Sequence, residues 1–249
     1  MKKNALITGG TGGIGLSTAK ALGKLGYHII LNGIDQEQGK NAIQELEKEN
    51  ISVELHIFDV TDEKAVLEGF EAIQKENDSL DILINNAGGL GGRSRFEDMS
   101  TSFYRSVMAL NLDSVFFITR SAIPMLKKGN NASIVNFTSI AAWNSGGPGA
   151  GIYGTAKAAV LTLTRALAKD LAEYNIRVNA VSPGTIDTPF HQATKETNIE
   201  LFNSWKNNIL MKRFGQPEEV ASVIEFLVSE KASFLTGEVI QINGGQDFL

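Results

Sequence analysis

The sequence predicts an α/β protein built on a doubly wound parallel sheet of seven strands, with helices on both faces. Two patterns predict it. Short, near-continuous Ile/Val/Leu runs alternate with longer segments of helical period, and such runs mark strands buried on both sides. The 249 residues, 43% of them apolar, suffice for a substantial core. No Pro/Ser-rich linker or internal repeat divides them, so residues 1–249 read as one domain.

The elements follow in order. Strands are expected at residues 5–8, 28–31, 53–58, 81–85, 133–137, 178–182 and 238–242, and helices near 13–25, 36–49, 62–76, 102–127, 155–173 and 217–228. In the fifth helix Ala156, Val160, Leu163, Leu167 and Leu171 recur every three or four residues as an amphipathic stripe. Asp35 and Gln38 fit a capping box for the second helix, and Pro217 suits the first turn of the last.

Composition narrows the function. A net charge of −5 argues against a polyanion such as DNA as the main partner. Without cysteine there is no disulfide, thiol nucleophile or cysteine zinc site. His28, His56 and His191 lie far apart and show no ligand spacing, so no metal is expected. The longest apolar runs fall far short of a membrane span, and no stretch of signal-peptide length follows Lys2-Lys3. A soluble cytoplasmic protein is expected, with no nucleic-acid or membrane partner.

Directly after the first strand comes Thr8-Gly9-Gly10-Thr11-Gly12-Gly13-Ile14-Gly15, and then a helix. A strand-to-helix turn that brings backbone N–H groups against a pyrophosphate has no room for a Cβ. The glycines fit two registers, Gly10/Gly12/Gly15 as G-x-G-x-x-G and Gly9/Gly13/Gly15 as T-G-x-x-x-G-x-G. A plain tight turn is the alternative, but the position at the first β–α junction favours a Rossmann-type dinucleotide site. The second strand should end at the group that reads the adenosine ribose, here Leu31-Asn32-Gly33-Ile34-Asp35. Asp35 offers a carboxylate for two ribose hydroxyls, or else only caps the next helix. No Lys or Arg stands between Lys24 and Lys40 to hold a 2′-phosphate, so NAD(H) is favoured, with NADP(H) still open.

Tyr153-Gly154-Thr155-Ala156-Lys157 places a phenol and an ammonium four residues apart, on one helix face. A nearby cation favours phenolate and draws the tyrosine toward working pH. Ser139, just after the fifth strand, is placed to hold a substrate oxygen, or is simply a turn serine. Asn111 is a poor helix former inside a long helix, which suggests a hydrogen-bonding task. Ligands bind beyond the carboxyl ends of parallel strands. The loops after strands one, four, five and six therefore open together.

At this point the whole chain resembles the short-chain dehydrogenase/reductase family in its compact single-domain branch. The resemblance lies in Thr8-Gly9…Gly13-Ile14-Gly15, Asp59-Val60, Asn85-Asn86-Ala87-Gly88, Asn111, Ser139, Tyr153…Lys157, Pro183-Gly184, Arg213 to Val220, and Thr236-Gly237…Gly244-Gly245. It implies Tyr153 as acid/base and Ser139 as the residue that positions the carbonyl or alcohol. Lys157 would hold the nicotinamide ribose and lower the Tyr153 pKa, and Asn111 would anchor a water in the proton relay. The cofactor positions it implies are Gly9, Thr11, Gly12, Gly13, Ile14 and Gly15, then Gly33, Ile34 and Asp35. Asp59 and Val60 would flank the adenine and Asn86 the adenosine-side ribose, with Ala87, Gly88, Pro183 and Gly184 as further positions. Ile186 and Thr188 would meet the carboxamide, and a homotetramer is the implied assembly.

Two departures stand out. The family's NAD enzymes often carry an acid where Gly33 stands, and its NADP enzymes a base at the position of Ile34 or before the second motif glycine, so neither pattern is complete. The Ser139–Tyr153 interval is also one residue longer than usual.

The leading expectation is an NAD(P)(H)-dependent oxidoreductase that reduces a ketone or oxidises a secondary alcohol. After Gly88 the chain continues Gly89-Leu90-Gly91-Gly92-Arg93-Ser94-Arg95. A guanidinium from Arg93 or Arg95 suits a carboxylate, which points to a small polar substrate such as a sugar-derived keto acid. Solvation, or pairing with Glu97 and Asp98, is the alternative. Competing functions are a 3-oxoacyl-(acyl-carrier-protein) reductase, a nucleotide-sugar epimerase and a non-catalytic dinucleotide-sensing protein. The epimerase would need an extra substrate domain, and a sensor would not need the Asn/Ser/Tyr/Lys set.

Overall fold

The computed structural model describes residues 3–248. Seven strands make one sheet: β1 (Asn4–Ile7), β2 (His28–Gly33), β3 (Val53–Ile57), β4 (Ile82–Asn85), β5 (Ser133–Phe137), β6 (Arg177–Pro183) and β7 (Val239–Ile242). Their spatial order is β3-β2-β1-β4-β5-β6-β7, and every pairing is parallel. The chain winds outward from β1 in one direction and from β4 in the other. A crevice must open where the winding reverses, beyond the carboxyl ends of β1 and β4.

The helices are α1 (Gly13–Lys24), α2 (Gln36–Lys48), α3 (Glu63–Glu76), α4 (Thr101–Met108), α5 (Ser114–Leu126), α6 (Ala141–Asn144), α7 (Gly151–Leu171), α8 (Gln192–Thr197), α9 (Ile199–Ser204) and α10 (Pro217–Val228). Strand periodicity assigns each side chain to one of two cores. Ala5, Ile7, Ile29, Leu31, Ile82 and Ile84 face Leu22 of α1, Leu46 of α2, and Ile224 and Leu227 of α10. The intervening Leu6, Ile30 and Leu83 face Phe70 and Ile73 of α3, Ile118 and Ala122 of α5, and Leu171 of α7. That division is why the strands read as continuous apolar runs.

Helix starts follow local chemistry. Asp35 Oδ1 accepts from the N–H groups of Glu37 and Gln38, and Asp62 Oδ1 does the same for Lys64 and Ala65. Pro217 opens α10, where the Gln216 N–H donates to Glu219 Oε2 at 2.8 Å. The reciprocal half of the expected Asp35/Gln38 box does not form, because Gln38 Oε1 accepts from Thr11 Oγ1 instead.

Two helices differ from the sequence expectation. The segment near 102–127 is α4 and α5 joined by one π-turn, Ala109–Asp113, with Asn111 fully buried at its centre. Such a turn widens a helix by one residue and is frequent at functional sites. The helix expected from residue 155 begins four residues earlier, at Gly151. Glycine is a poor helix former, so Gly151 and Gly154 hid that first turn. Packing explains Gly154: a Cβ there would stand 2.7 Å from the Ala141 carbonyl oxygen of α6.

Candidate active site

A cleft of about 970 Å³ lies at the predicted crevice. One wall is the turn between β1 and α1, where Gly9, Thr11, Gly12, Gly13 and Ile14 line the space. Gly9 and Gly13 take φ of +58° and +52°, backbone that L-residues rarely adopt. Gly15 does not line the cleft. Its hydrogen faces the Gly9 carbonyl oxygen, which a Cβ would strike, and a Cβ would also lie 2.7 Å from Asn86 Nδ2. The cradle thus has the tight turn and the close backbone packing that a pyrophosphate site requires, and the residues present fit a dinucleotide.

The cradle is fastened to β4. Thr8 Oγ1 accepts from the N–H groups of Asn86 and Ala87, both at 3.1 Å, while Asn86 Nδ2 donates to the Thr8 and Gly9 carbonyls, both at 2.9 Å. Asn86 therefore lines the cleft with its amide donors already used. Ala87, Gly88, Asp59 and Val60 line the same region, as do Pro183, Gly184, Ile186 and Thr188 opposite.

The ribose end departs from expectation. Gly33 and Ile34 line the cleft, but Asp35 does not, because its carboxylate caps α2. Gln38 lines the cleft instead, tied to Thr11. Gly33 lacks a side chain for a packing reason: a Cβ would stand 2.6 Å from Thr11 Cγ2. Gln38 had been legible only as a capping partner, since its approach to Thr11 spans 27 residues.

Ser139, Tyr153 and Lys157 meet at the other end of the cleft. The longer interval is absorbed by α6 and a left-handed Ser145 (φ +63°), and the Ser139 and Tyr153 side chains still hydrogen-bond. Ser139 Oγ also accepts from the Ala141 N–H at 3.1 Å. Lys157, almost wholly buried, donates from Nζ to the Phe137 carbonyl at 2.9 Å and stands 5.9 Å from the Tyr153 ring centroid. A Cβ on Gly88 would lie 3.0 Å from both Lys157 Nζ and Asn111 Oδ1, so those two groups share one turn. Asn111 does not itself line the cleft. Its Oδ1 accepts from the Gly89 N–H, and its Nδ2 donates to the Gly89 and Val107 carbonyls. Both amide hydrogens are spent on backbone, so the side chain holds the Gly88–Gly89 turn rather than donating to a water.

The pKa pattern reverses the simple cation argument. Burial pushes Tyr153 up to about 12, only partly opposed by its bond to Ser139, and pulls Lys157 down to about 8. Lys157 gives one of its three ammonium hydrogens to Phe137, and for the phenol desolvation is the dominant effect. At neutral pH the phenol keeps its proton and Lys157 keeps its charge, the pairing needed to give a proton away.

Of the two guanidinium groups, Arg93 lines the cleft and donates to the Pro148 carbonyl at 3.0 Å, whereas Arg95 does not reach it. Neither pairs with Glu97 or Asp98 among the described residues. Phe190, His191 and Trp205 form the facing wall. All three fall in the region from Phe190 to Lys212, to which the sequence assigns substrate identity, but they could not be singled out there because they come from short 3₁₀ turns at Pro189–His191 and Trp205–Asn208, with no periodicity to read.

The reversing parallel sheet, the glycine cradle and the Ser/Tyr/Lys group at one strand edge describe a Rossmann-class oxidoreductase. A family model described as enoyl-(acyl carrier protein) reductase matches residues 9–247. The chain is similar to the 3-oxoacyl-[acyl-carrier-protein] reductase FabG of Aquifex aeolicus, at 37% identity over 244 residues, 98% of this chain and 96% of that protein. Gluconate 5-dehydrogenase of Gluconobacter oxydans is 33% identical over 242 residues, 97% of this chain and 93% of that one. Among solved structures, NADH-dependent reductase A1-R′, responsible for alginate metabolism, is 34% identical with a TM-score of 0.90, covering 100% of this chain and 98% of that one. The chain belongs to the short-chain dehydrogenase/reductase family and is an oxidoreductase acting between CH–OH and C=O. No helix among the described residues is long and apolar enough to cross a membrane.

Gly15→Ala tests the cradle. The added methyl must push the Gly9 carbonyl or Asn86 aside, so dinucleotide affinity should fall about tenfold or more while the circular-dichroism spectrum is unchanged. Wild-type affinity by titration calorimetry would contradict the packing argument.

Proposed function

We propose that this enzyme reduces a small, anionic, polar ketone, a sugar-derived keto acid, with NADH. One observation supports both halves: among the described residues that line the cleft, Lys157 and Arg93 are the sole lysine and arginine. The ribose end, with Thr11, Gly33 and Gln38, offers no cation to a 2′-phosphate. The substrate end offers one guanidinium, whose planar fork suits a carboxylate. The NADH dependence of A1-R′ and the gluconate chemistry named for the Gluconobacter relative agree with this reading. A second reading, 3-oxoacyl-(acyl-carrier-protein) reductase, has the likeness to FabG in its favour. An acidic carrier calls for a basic rim, however, and among the described residues that line the cleft Arg93 and Lys157 are the sole Arg and Lys.

In the mechanism, the Gly9–Gly13 turn presents backbone N–H groups to the pyrophosphate. A nicotinamide dinucleotide, when bound, supplies the hydride to the carbonyl carbon or accepts it back. Ser139 Oγ donates to the substrate oxygen and holds Tyr153 Oη in line with it. Tyr153 gives its proton to that oxygen during reduction and takes one during oxidation. Lys157 lends positive charge beside the phenol and donates toward the nicotinamide-side ribose. Asn111 is a positioning residue that keeps the Gly88–Gly89 turn against Lys157. The same reading takes residues 1–249 as one catalytic unit in a cytoplasmic homotetramer, which would cover the exposed Tyr104, Phe116 and Phe234.

Four outcomes check this account. Tyr153→Phe should lower single-turnover reduction by ~10²–10⁴-fold with dinucleotide affinity intact; a tenth of wild-type rate remaining would remove Tyr153 from the chemistry. Reductive kcat/KM should be level below pH 8 and fall above it, because Lys157 loses its charge near 8 while Tyr153 stays protonated to about 12. A profile flat to about pH 10 would contradict that order of ionisation. Finally, a kinetic panel of keto acids, neutral ketoses and acyl thioesters with NADH and NADPH should show the best kcat/KM for a keto acid with NADH. Arg93→Ala should raise KM about tenfold for the acid and spare its uncharged counterpart. Equal losses on both, or preference for the thioester with NADPH, would refute the reading.

A further inference from the structure

The cleft that Arg93 lines also contains a histidine whose surroundings are unlike those of the other two. His28 Nδ1 is 2.7 Å from Ser52 Oγ, and His56 Nε2 is 3.1 Å from Glu54 Oε1, so both are engaged with protein. His191 lines the cleft, and among the described residues no group hydrogen-bonds to its ring nitrogens. Rings hold it instead: Phe190 at 4.9 Å, Trp205 at 5.5 Å and Phe202 at 5.8 Å between centroids. Phe190 in turn stands 6.2 Å from Tyr153, which puts the imidazole on the substrate side of the reacting phenol.

The imidazole is also kept neutral. Burial, then the Lys195 charge, pull its pKa down to about 4; Asp187 opposes them, and Arg93 adds the smallest lowering effect. A neutral imidazole has one N–H donor and one bare acceptor nitrogen. That pair suits a hydroxyl, which can both accept and donate. It does not suit a carboxylate, which can only accept and is better served by the nearby guanidinium. The aromatic rings fix the plane of the donor–acceptor pair, so little freedom is lost on binding.

We propose that His191 is a specificity-determining residue that reads a hydroxyl on the carbon chain of a polyhydroxylated ketone, while Arg93 takes the carboxylate. This rests on the keto-acid reading above and adds the hydroxylated chain as a separate determinant.

Three substrates separate the two determinants: a keto-hexonate, an uncharged ketohexose and an alkan-2-one of the same carbon count. Two variants are compared, His191→Phe, which keeps the ring and deletes both nitrogens, and His191→Asn, which restores a donor and an acceptor. Thermal melting first establishes that each is folded. With His191→Phe, KM should rise about tenfold for both hydroxylated ketones, with kcat within about twofold and KM for the alkanone unchanged. His191→Asn should recover part of the loss. A KM rise equal on all three substrates, or none on the hydroxylated pair, overturns the inference. If the wild type does not favour the hexonate over the ketohexose but the His191→Phe pattern holds, the carboxylate reading fails and the hydroxyl reading stands. A wild type that favours the alkanone overturns both.

Discussion

Thr8 and Asn86 join the ends of β1 and β4, and the rest of the site depends on that junction. These are the two strands between which the winding reverses, so their carboxyl ends have no crossover helix between them. Four hydrogen bonds of 2.9–3.1 Å close the gap. They set the distance from the Gly9 turn to the Ala87–Gly88 segment, and Gly15 can pack against both because it has no side chain. From Gly88 the order passes to Asn111 and Lys157, then to Tyr153 four residues back along α7. One local junction therefore aligns the cradle with the reacting end.

Buried polar groups make that alignment specific. Asn85 donates to Thr119 and Asn136, and Asn136 donates to Thr164, so β4, β5, α5 and α7 are cross-linked below the cleft floor. In a low-dielectric interior such a network holds its members in one arrangement, since any shift leaves a buried group unpaired. Lys157 belongs to the same logic. Its charge is buried at a cost that shows in its lowered pKa, and the Phe137 carbonyl on β5 fixes where that charge lies. The site thus trades stability for a fixed ammonium beside a protonated phenol.

The Arg93 end of the cleft is built differently. Arg93 sits on a glycine-rich loop, and Phe190, His191 and Trp205 sit on short turns held mainly by ring contacts with one another and with Phe202. Few backbone ladders cross this region. The glycine-cradle end is tied into the sheet by hydrogen bonds, while the loop and turn residues at the Arg93 end can change one by one without disturbing the sheet.

Sequence alone determined the seven strands, because each buries both faces and so shows as an apolar run. It determined the cradle, because a strand-to-helix turn against backbone can be made only with glycine. It brought Ser139, Tyr153 and Lys157 to one edge, because parallel strands send their following loops the same way. Tertiary structure decided the rest, and in each case the cause lay outside the local segment. Asp35 left the ribose site because capping α2 used its carboxylate, and Gln38 entered because Thr11 drew it in. Asn111 sits in a π-turn and bonds to Gly89, 22 residues away, a pairing no local pattern carries. The first turn of α7 was hidden because α6 packs where the Gly154 side chain would be. Tyr153 kept its proton because burial, a property of the whole fold, outweighed its bond to Ser139.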